Sequence, residues 1–259
     1  MAAGKLIGMQ SRVCLVTGAG RGIGRAVASH FSADGHKVAL AARSTAELDD
    51  LGDALEGPTL AIRADVTRSD DVEAMFAEVE QQWGPVEILV TSAGRSGSGP
   101  FARTTDAEWH AILDLNLTGT FRCMRRAVPQ MVAAGYGRII AVASVLAKRG
   151  ERLVAPYAAS KHGVLGLVRA LSAELATTGV TVNAVCPAYV DTPMTDGNVK
   201  FVSERTGRPE AEIRGALEAV QPIGRLITSD EVAEAVDYLV RNAAVTGQGL
   251  DVDGGLLQS

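Results

Sequence analysis

Short apolar runs alternate with longer stretches of helical period along this chain. Arg12-Val13-Cys14-Leu15-Val16-Thr17 reads as a buried strand, a glycine-rich turn follows, and Arg25 to Ala33 carries a helical period that Gly35 stops. Further apolar runs at Lys37–Ala42, Leu60–Ala64, Val86–Val90, Gly137–Val142, Val180–Val185 and Gly249–Val252 read as strands, with helical patterns filling the gaps. Strands separated by helices imply right-handed crossovers, so the predicted fold is α/β: a doubly wound, Rossmann-type, mainly parallel sheet with helices on both faces. No internal repeat or linker rich in proline, glycine and serine divides the chain, so residues 1–259 read as one domain.

Composition narrows the function classes. With 47% hydrophobic and 21% charged residues, 259 residues suffice for one well-buried core. A net charge of −5 and scattered arginines give no basic footprint, so nucleic acid is not an expected partner. No run approaches the roughly 18 apolar residues of a membrane span, and Met1 to Gln10 lack the apolar core of a leader. Cys14, Cys123 and Cys186, an odd count in apolar surroundings, read as buried reduced thiols. These features together predict a cytoplasmic protein without a membrane partner. His30, His36, His110 and His162 are dispersed, without a nearby carboxylate or cysteine arrangement of ligand spacing, and no metal site is expected.

The chemistry gathers at two places. In Thr17-Gly18-Ala19-Gly20-Arg21-Gly22-Ile23-Gly24, between strand and helix, glycines let backbone approach a pyrophosphate and the helix start favours an anion, with Gly18, Gly22 and Gly24 the key positions. In Tyr157-Ala158-Ala159-Ser160-Lys161, the spacing of four puts a phenol and an ammonium on one helix face. The cation would favour the phenolate and bring the group toward proton exchange near neutrality, as carbonyl reduction requires. At the second strand's end, Ala42-Arg43-Ser44 carries no carboxylate for a ribose 2′-hydroxyl, and Arg21 can swing toward the same position. The charge there favours NADP(H), with NAD(H) left open because an arginine can also stack on adenine.

The glycine turn, Asn116, Ser144 and Tyr157-x-x-x-Lys161, in that order, resemble the short-chain dehydrogenase/reductase family over nearly the whole chain. The resemblance implies that Tyr157 donates a proton to a substrate carbonyl while the cofactor supplies hydride, and that Ser144 holds the carbonyl oxygen. It further implies that Lys161 lowers the tyrosine pKa and binds the nicotinamide ribose, and that Asn116 anchors a water-linked proton path. Ile23 and Ser44 fall in the cofactor segments, and Asp65-Val66 matches the family pair that contacts adenine, although a turn aspartate is equally an ordinary helix cap. Thr91-Ser92-Ala93-Gly94 stands where the family commonly has Asn-Asn-Ala-Gly; Ala93 and Gly94 match, and the hydroxyls are expected to satisfy local backbone groups. Pro187-Ala188-Tyr189-Val190-Asp191-Thr192 resembles the nicotinamide segment, with Ala188 replacing glycine and Pro187, Val190 and Thr192 as contacts.

Residues 193–226 occupy the position of the family's substrate lid, with Met194, Phe201, Val202, Ile213 and Leu217 at broadly helical spacing, which is also ordinary packing. Lys148-Arg149-Gly150-Glu151-Arg152 would border the mouth and receive an anionic tail, unless it is a solvated charge run. Similarity to 3-oxoacyl reductases and 3-hydroxybutyrate-type dehydrogenases implies a 3-oxoacyl thioester reductase, on CoA or acyl carrier protein, or a 3-hydroxyacyl dehydrogenase. Gly135 and Thr178 stand where carrier-docking reductases often have arginine, which favours acyl-CoA or small ketones. A sugar, polyol or cyclic ketone substrate stays open, as does a non-catalytic NADP-binding regulatory module, although the latter has no need of the complete tetrad. The resemblance also implies a homotetramer.

Overall fold

The computed structural model describes residues 11–258, so the reading of Met1 to Gln10 lies outside the described residues. Seven parallel strands form one sheet: β1 (Val13–Thr17), β2 (Lys37–Ala42), β3 (Thr59–Arg63), β4 (Ile88–Thr91), β5 (Gly137–Val142), β6 (Val180–Pro187) and β7 (Gly249–Val252). Their order is β3-β2-β1-β4-β5-β6-β7, which confirms the doubly wound Rossmann-type topology. The order reverses direction between β1 and β4, and a crevice opens there at the carboxyl ends of the strands. All seven predicted strands are present, with ends shifted by up to two residues.

The strands were readable because both faces are buried, which makes them continuous apolar runs. Val13 and Leu15 of β1 face one core with Ala39, Leu89, Ile139 and Val182, whereas Cys14 and Val16 face the other with Val38, Leu40, Val90 and Ile140. Helices α3 (Ser69–Trp83), α5 (Gly119–Ala134) and α6 (Ala155–Leu175) close the first core through Met75, Phe76, Met124 and Val168. Helices α1 (Gly22–Ala33), α2 (Thr45–Ala54) and α9 (Ser229–Arg241) close the second through Phe31, Leu48 and Val236. The three cysteines are buried and free.

Helix α1 starts at Gly22, a turn earlier than its apolar period indicates, because the glycines there carry no period to read. Between α4 (Asp106–Leu113) and α5 the chain makes a π turn, Asp114–Thr118, which carries Asn116. Residues 193–226 form α7 (Pro193–Thr206), α8 (Glu210–Val220) and a closing loop over the carboxyl edge of the sheet. Arg214 of α8 anchors this excursion, donating to Asp191 at 2.6 Å and to Asp196 at 2.9 Å. No helix of the described residues is long and apolar enough to cross a membrane.

Candidate active site

A cleft of about 440 Å³ runs along the switch point. It is lined by Gly18, Arg21, Gly22, Ile23, Arg43, Ser44, Asp65, Val66, Ala93, Gly94, Ser144, Tyr157, Lys161, Pro187, Val190 and Thr192. Of the catalytic and cofactor-binding residues expected from the sequence, Gly24 and Asn116 alone are absent from this lining.

Glycine is required in the first turn by both backbone angle and space. Gly18 adopts φ +69°, and a Cβ there would lie 2.7 Å from the Ala93 amide nitrogen. Gly22 adopts φ +53°, and a Cβ would meet Thr192 Cγ2 at 3.2 Å. Arg21 is the residue before α1; its side chain does not cap the helix, and the first turn holds no acidic residue. The N–H groups at the start of α1 therefore face the cleft without a competing carboxylate of their own, which suits a pyrophosphate. This cradle of glycine and free amides fits a dinucleotide.

The end of the cleft beside β2 holds a carboxylate that the strand-end reading missed. Glu47, in the first turn of α2, gives its backbone N–H to Ser44 Oγ at 3.5 Å and brings its side chain back under Gly20. Its Oε1 lies 3.9 Å from Arg21 Nη1, so Arg21 shares its charge, while Arg43 has no ion pair among the described residues. The helical return of three residues from Ser44 is the signal that would have found it. Asp65 is not a helix cap: its Oδ1 accepts from the backbone N–H and the hydroxyl of Thr67, at 3.0 and 2.8 Å, closing a local turn.

Tyr157 and Lys161 project from the first turns of α6 as their spacing predicts, with Lys161 Nζ 5.6 Å from the phenol ring centre. The electrostatics differ from the expectation. Lys161 donates to the Val142 carbonyl at 2.8 Å, and burial pushes its ammonium down to about 8, with the nearby Cys186 thiol acting weakly the other way. Burial pushes the Tyr157 phenol up to about 12, and hydrogen bonding to Ser144 opposes it only in part. Enclosure thus outweighs the cation, and the phenol of the cofactor-free protein stays protonated. With its pKa pushed up to about 12, the folded protein should hold no Tyr157 phenolate below about pH 10, and the same shift favours the folded state below about 10, a benefit lost between 10 and 12. An ultraviolet difference titration of cofactor-free wild type against Tyr157→Phe checks this; a single-tyrosine step near neutrality would contradict it.

Ser144, extended at the end of β5, accepts the Leu146 N–H at 3.1 Å and leaves its proton to aim into the cleft. Asn116 is almost fully buried. Its Oδ1 accepts the Arg95 N–H and its Nδ2 donates to the Arg95 carbonyl and to Ser160 Oγ, all at 3.0 Å. The side chain is thereby a clamp on the loop after β4, and its second anchor, Ser160, was not singled out from the sequence. Ser160 sits inside the Tyr-x-x-x-Lys segment, where a hydroxyl turned toward the neighbouring helix is its signal.

Three further expectations are corrected. Thr91 and Ser92 do not satisfy the local backbone: the Ala93 N–H goes to Thr17 Oγ1 at 3.4 Å, and Thr91 Oγ1 is buried without a partner among the described residues. Thr91→Val should therefore raise stability by about 1 kcal/mol, read as a melting temperature higher by about 2–4 °C; a lower value would mean the hydroxyl is bonded. Lys148 is not a cation of the mouth, since it donates to the Gly249 carbonyl and to Asp251, each at 2.7 Å, and Arg149 pairs with Glu151 at 3.0 Å. His30 does have carboxylates near it, Asp34 and Asp237, each 3.8 Å away, but Arg241 bonds both of them and supplies the cation.

The profile of the short chain dehydrogenase family matches residues 12–202. The 3-oxoacyl-[acyl-carrier-protein] reductase MabA of Mycobacterium avium is 40% identical over 248 residues, covering 95% of this chain and 90% of that protein. An actinorhodin polyketide ketoreductase variant solved with NADPH superposes with a TM-score of 0.89 at 41% identity, over 95% of this chain and 97% of that one. The aldohexose dehydrogenase of Thermoplasma acidophilum superposes at 0.86 with 32% identity, over 95% and 94%. The chain belongs to the short-chain dehydrogenase family. It is an oxidoreductase.

Proposed function

We propose that this protein is an NADP(H)-dependent ketoreductase acting on 3-oxoacyl thioesters, carried on coenzyme A or on an acyl carrier protein. The observation that carries the reading is the convergence of a protonated phenol, Tyr157, and the Ser144 hydroxyl on one cleft whose other end is the glycine-lined start of α1. The names of the relatives, MabA and the polyketide ketoreductase, support the same substrate class.

Gly18, Gly22 and the first turn of α1 would hold the pyrophosphate, Arg43 and Ser44 the 2′-phosphate, Asp65 and Val66 the adenine side, and Pro187, Val190 and Thr192 the nicotinamide. The bound cofactor supplies the hydride. Tyr157 donates its phenolic proton to the carbonyl oxygen as the carbon is reduced, and Ser144 donates a hydrogen bond that keeps that oxygen in line. Lys161, held at Val142, stands beside the resulting phenolate and favours it, which limits the cost of the transfer. Asn116 keeps the loop around Arg95 in place, so that Ala93 and Gly94 form a fixed wall of the cleft.

Reduced-nicotinamide absorbance with acetoacetyl-CoA, an aldose and a cyclic diketone, under NADPH or NADH, tests the reading. NADPH-linked reduction of the thioester is expected, and preference for the aldose or diketone would move the protein to another substrate class. Arg43→Ala should raise KM for NADPH by about tenfold or more, the value of one charge-assisted phosphate contact, and leave KM for NADH within about twofold. Equal shifts for both cofactors would show that Arg43 serves the adenosine and not the phosphate.

A further inference from the structure

A second chamber, of about 560 Å³, opens beside the cleft between the loop after β4 and lid helix α7. Arg95 and Ser96 line both spaces, and Pro156, the residue before Tyr157 in the chain, lines the second, so the chamber adjoins the cleft that holds Tyr157 and Ser144. Its apolar lining is formed by the buried Ile112 and Pro156 and by Phe201, which is partly exposed. Across its entrance Ser96 Oγ donates to Asn198 Oδ1 at 2.8 Å, joining the loop to the lid.

The rim is cationic. Arg95, Arg103 and Arg205 line this chamber, and none has an ion pair among the described residues, whereas Arg126, Arg214, Arg225 and Arg241 each pair with a carboxylate. The sole carboxylate in the lining, Glu108, has one oxygen accepting both the N–H and the hydroxyl of Thr105. Arg205 lies over the Phe201 ring at 4.6 Å, which orients its guanidinium on the chamber wall. The Thr105 bonds hold the Glu108 carboxyl low, and Arg95 helps in the same direction and so shares its charge with that carboxylate. This leaves Arg103 and Arg205 as the two guanidiniums without a carboxylate among the described residues, in a chain of net charge −5, and together they suit a negatively charged group.

We propose that the chamber is a distal substrate subsite for an oxyanion on the far end of the ketone, a carboxylate or a phosphate, met by Arg103 and Arg205. This rests on the ketoreductase reading for the position of the carbonyl, but binding can be read without turnover. An apolar segment of a few carbons would lie on Ile112 and Phe201, leaving the anion at the rim.

The test uses two 3-oxo esters that differ only at the far end, a carboxylate in one and its methyl ester in the other, with acetoacetyl-CoA as a third ligand. Each is titrated calorimetrically into the protein with NADP+ present, where no reduction occurs, for the wild type and for the double variant Arg103→Gln, Arg205→Gln. The carboxylate should bind the wild type about tenfold more tightly than its ester, and the double variant should reduce that ratio to near one. If acetoacetyl-CoA instead loses affinity in the double variant while the ester pair keeps its ratio, the oxyanion is the thioester's phosphate. A wild type that binds both esters equally, with acetoacetyl-CoA unaffected by the variants, would overturn the proposal. Absence of turnover with NADPH alongside preserved carboxylate preference would instead count against the ketoreductase reading alone.

Discussion

Replacing Tyr157 by phenylalanine should lower carbonyl reduction by about 10²–10⁴-fold, the usual contribution of a positioned general acid. The magnitude follows from the phenol's state: burial holds its proton, so at neutral pH the group is fully in the donating form. Phenylalanine fills nearly the same volume and leaves the Lys161 bond to Val142 in place, so cofactor affinity should stay within about threefold. Steady-state rates paired with a cofactor fluorescence titration separate the two effects. A variant retaining more than a tenth of the wild-type rate would remove the phenol from the mechanism and leave Ser144 as the donor to examine.

The second large effect is expected at Gly24, which does not line the catalytic cleft. A Cβ on Gly24 would press into the Gly18 carbonyl, backbone against backbone, where no side chain can turn aside. Gly24→Ala should therefore cost about 3 kcal/mol, lowering the melting temperature by about 6–12 °C. It should also weaken dinucleotide binding by tenfold or more, because Gly18 would have to leave its packing on Ala93. Gly166→Ala, inside α6 with open space around the added methyl, is the matched control and should stabilise by about 0.5–1 kcal/mol. Similar melting curves for the two variants would show that the turn relaxes around the extra carbon.

The contrast between Gly24 and Thr91 marks what the sequence could and could not disclose. The strands and the doubly wound class were accessible because parallel strands buried on both faces leave unbroken apolar runs, and a strand–glycine–helix turn has one common use. Tyr157 and Lys161 were found because a spacing of four is a statement about one helix. Their ionisation was misjudged, since spacing records who is near and not how much water remains, and here enclosure outweighs the ammonium. Lys148 looked like a mouth cation because Asp251, which claims it, is remote in sequence and near only across β7. Glu47 and Ser160 escaped for the same reason: their partners, the glycine turn and Asn116, come from other elements.

The π turn at Asp114–Thr118 makes chain length, rather than residue identity, the sensitive variable in this part of the molecule. Around it, α4 and α5 form nearly one rod whose register slips where the backbone bonds reach five residues instead of four. Deleting one residue there would restore a uniform helix that loses little by any local measure, yet would swing Asn116 about 100° round the axis, away from Arg95 and Ser160. Helical regularity and the cleft thus place opposite demands on the same five residues. A shortened variant could fold well and still be excluded by selection, and insertions or deletions in this stretch should be rarer than its tolerance of ordinary side-chain exchange would imply.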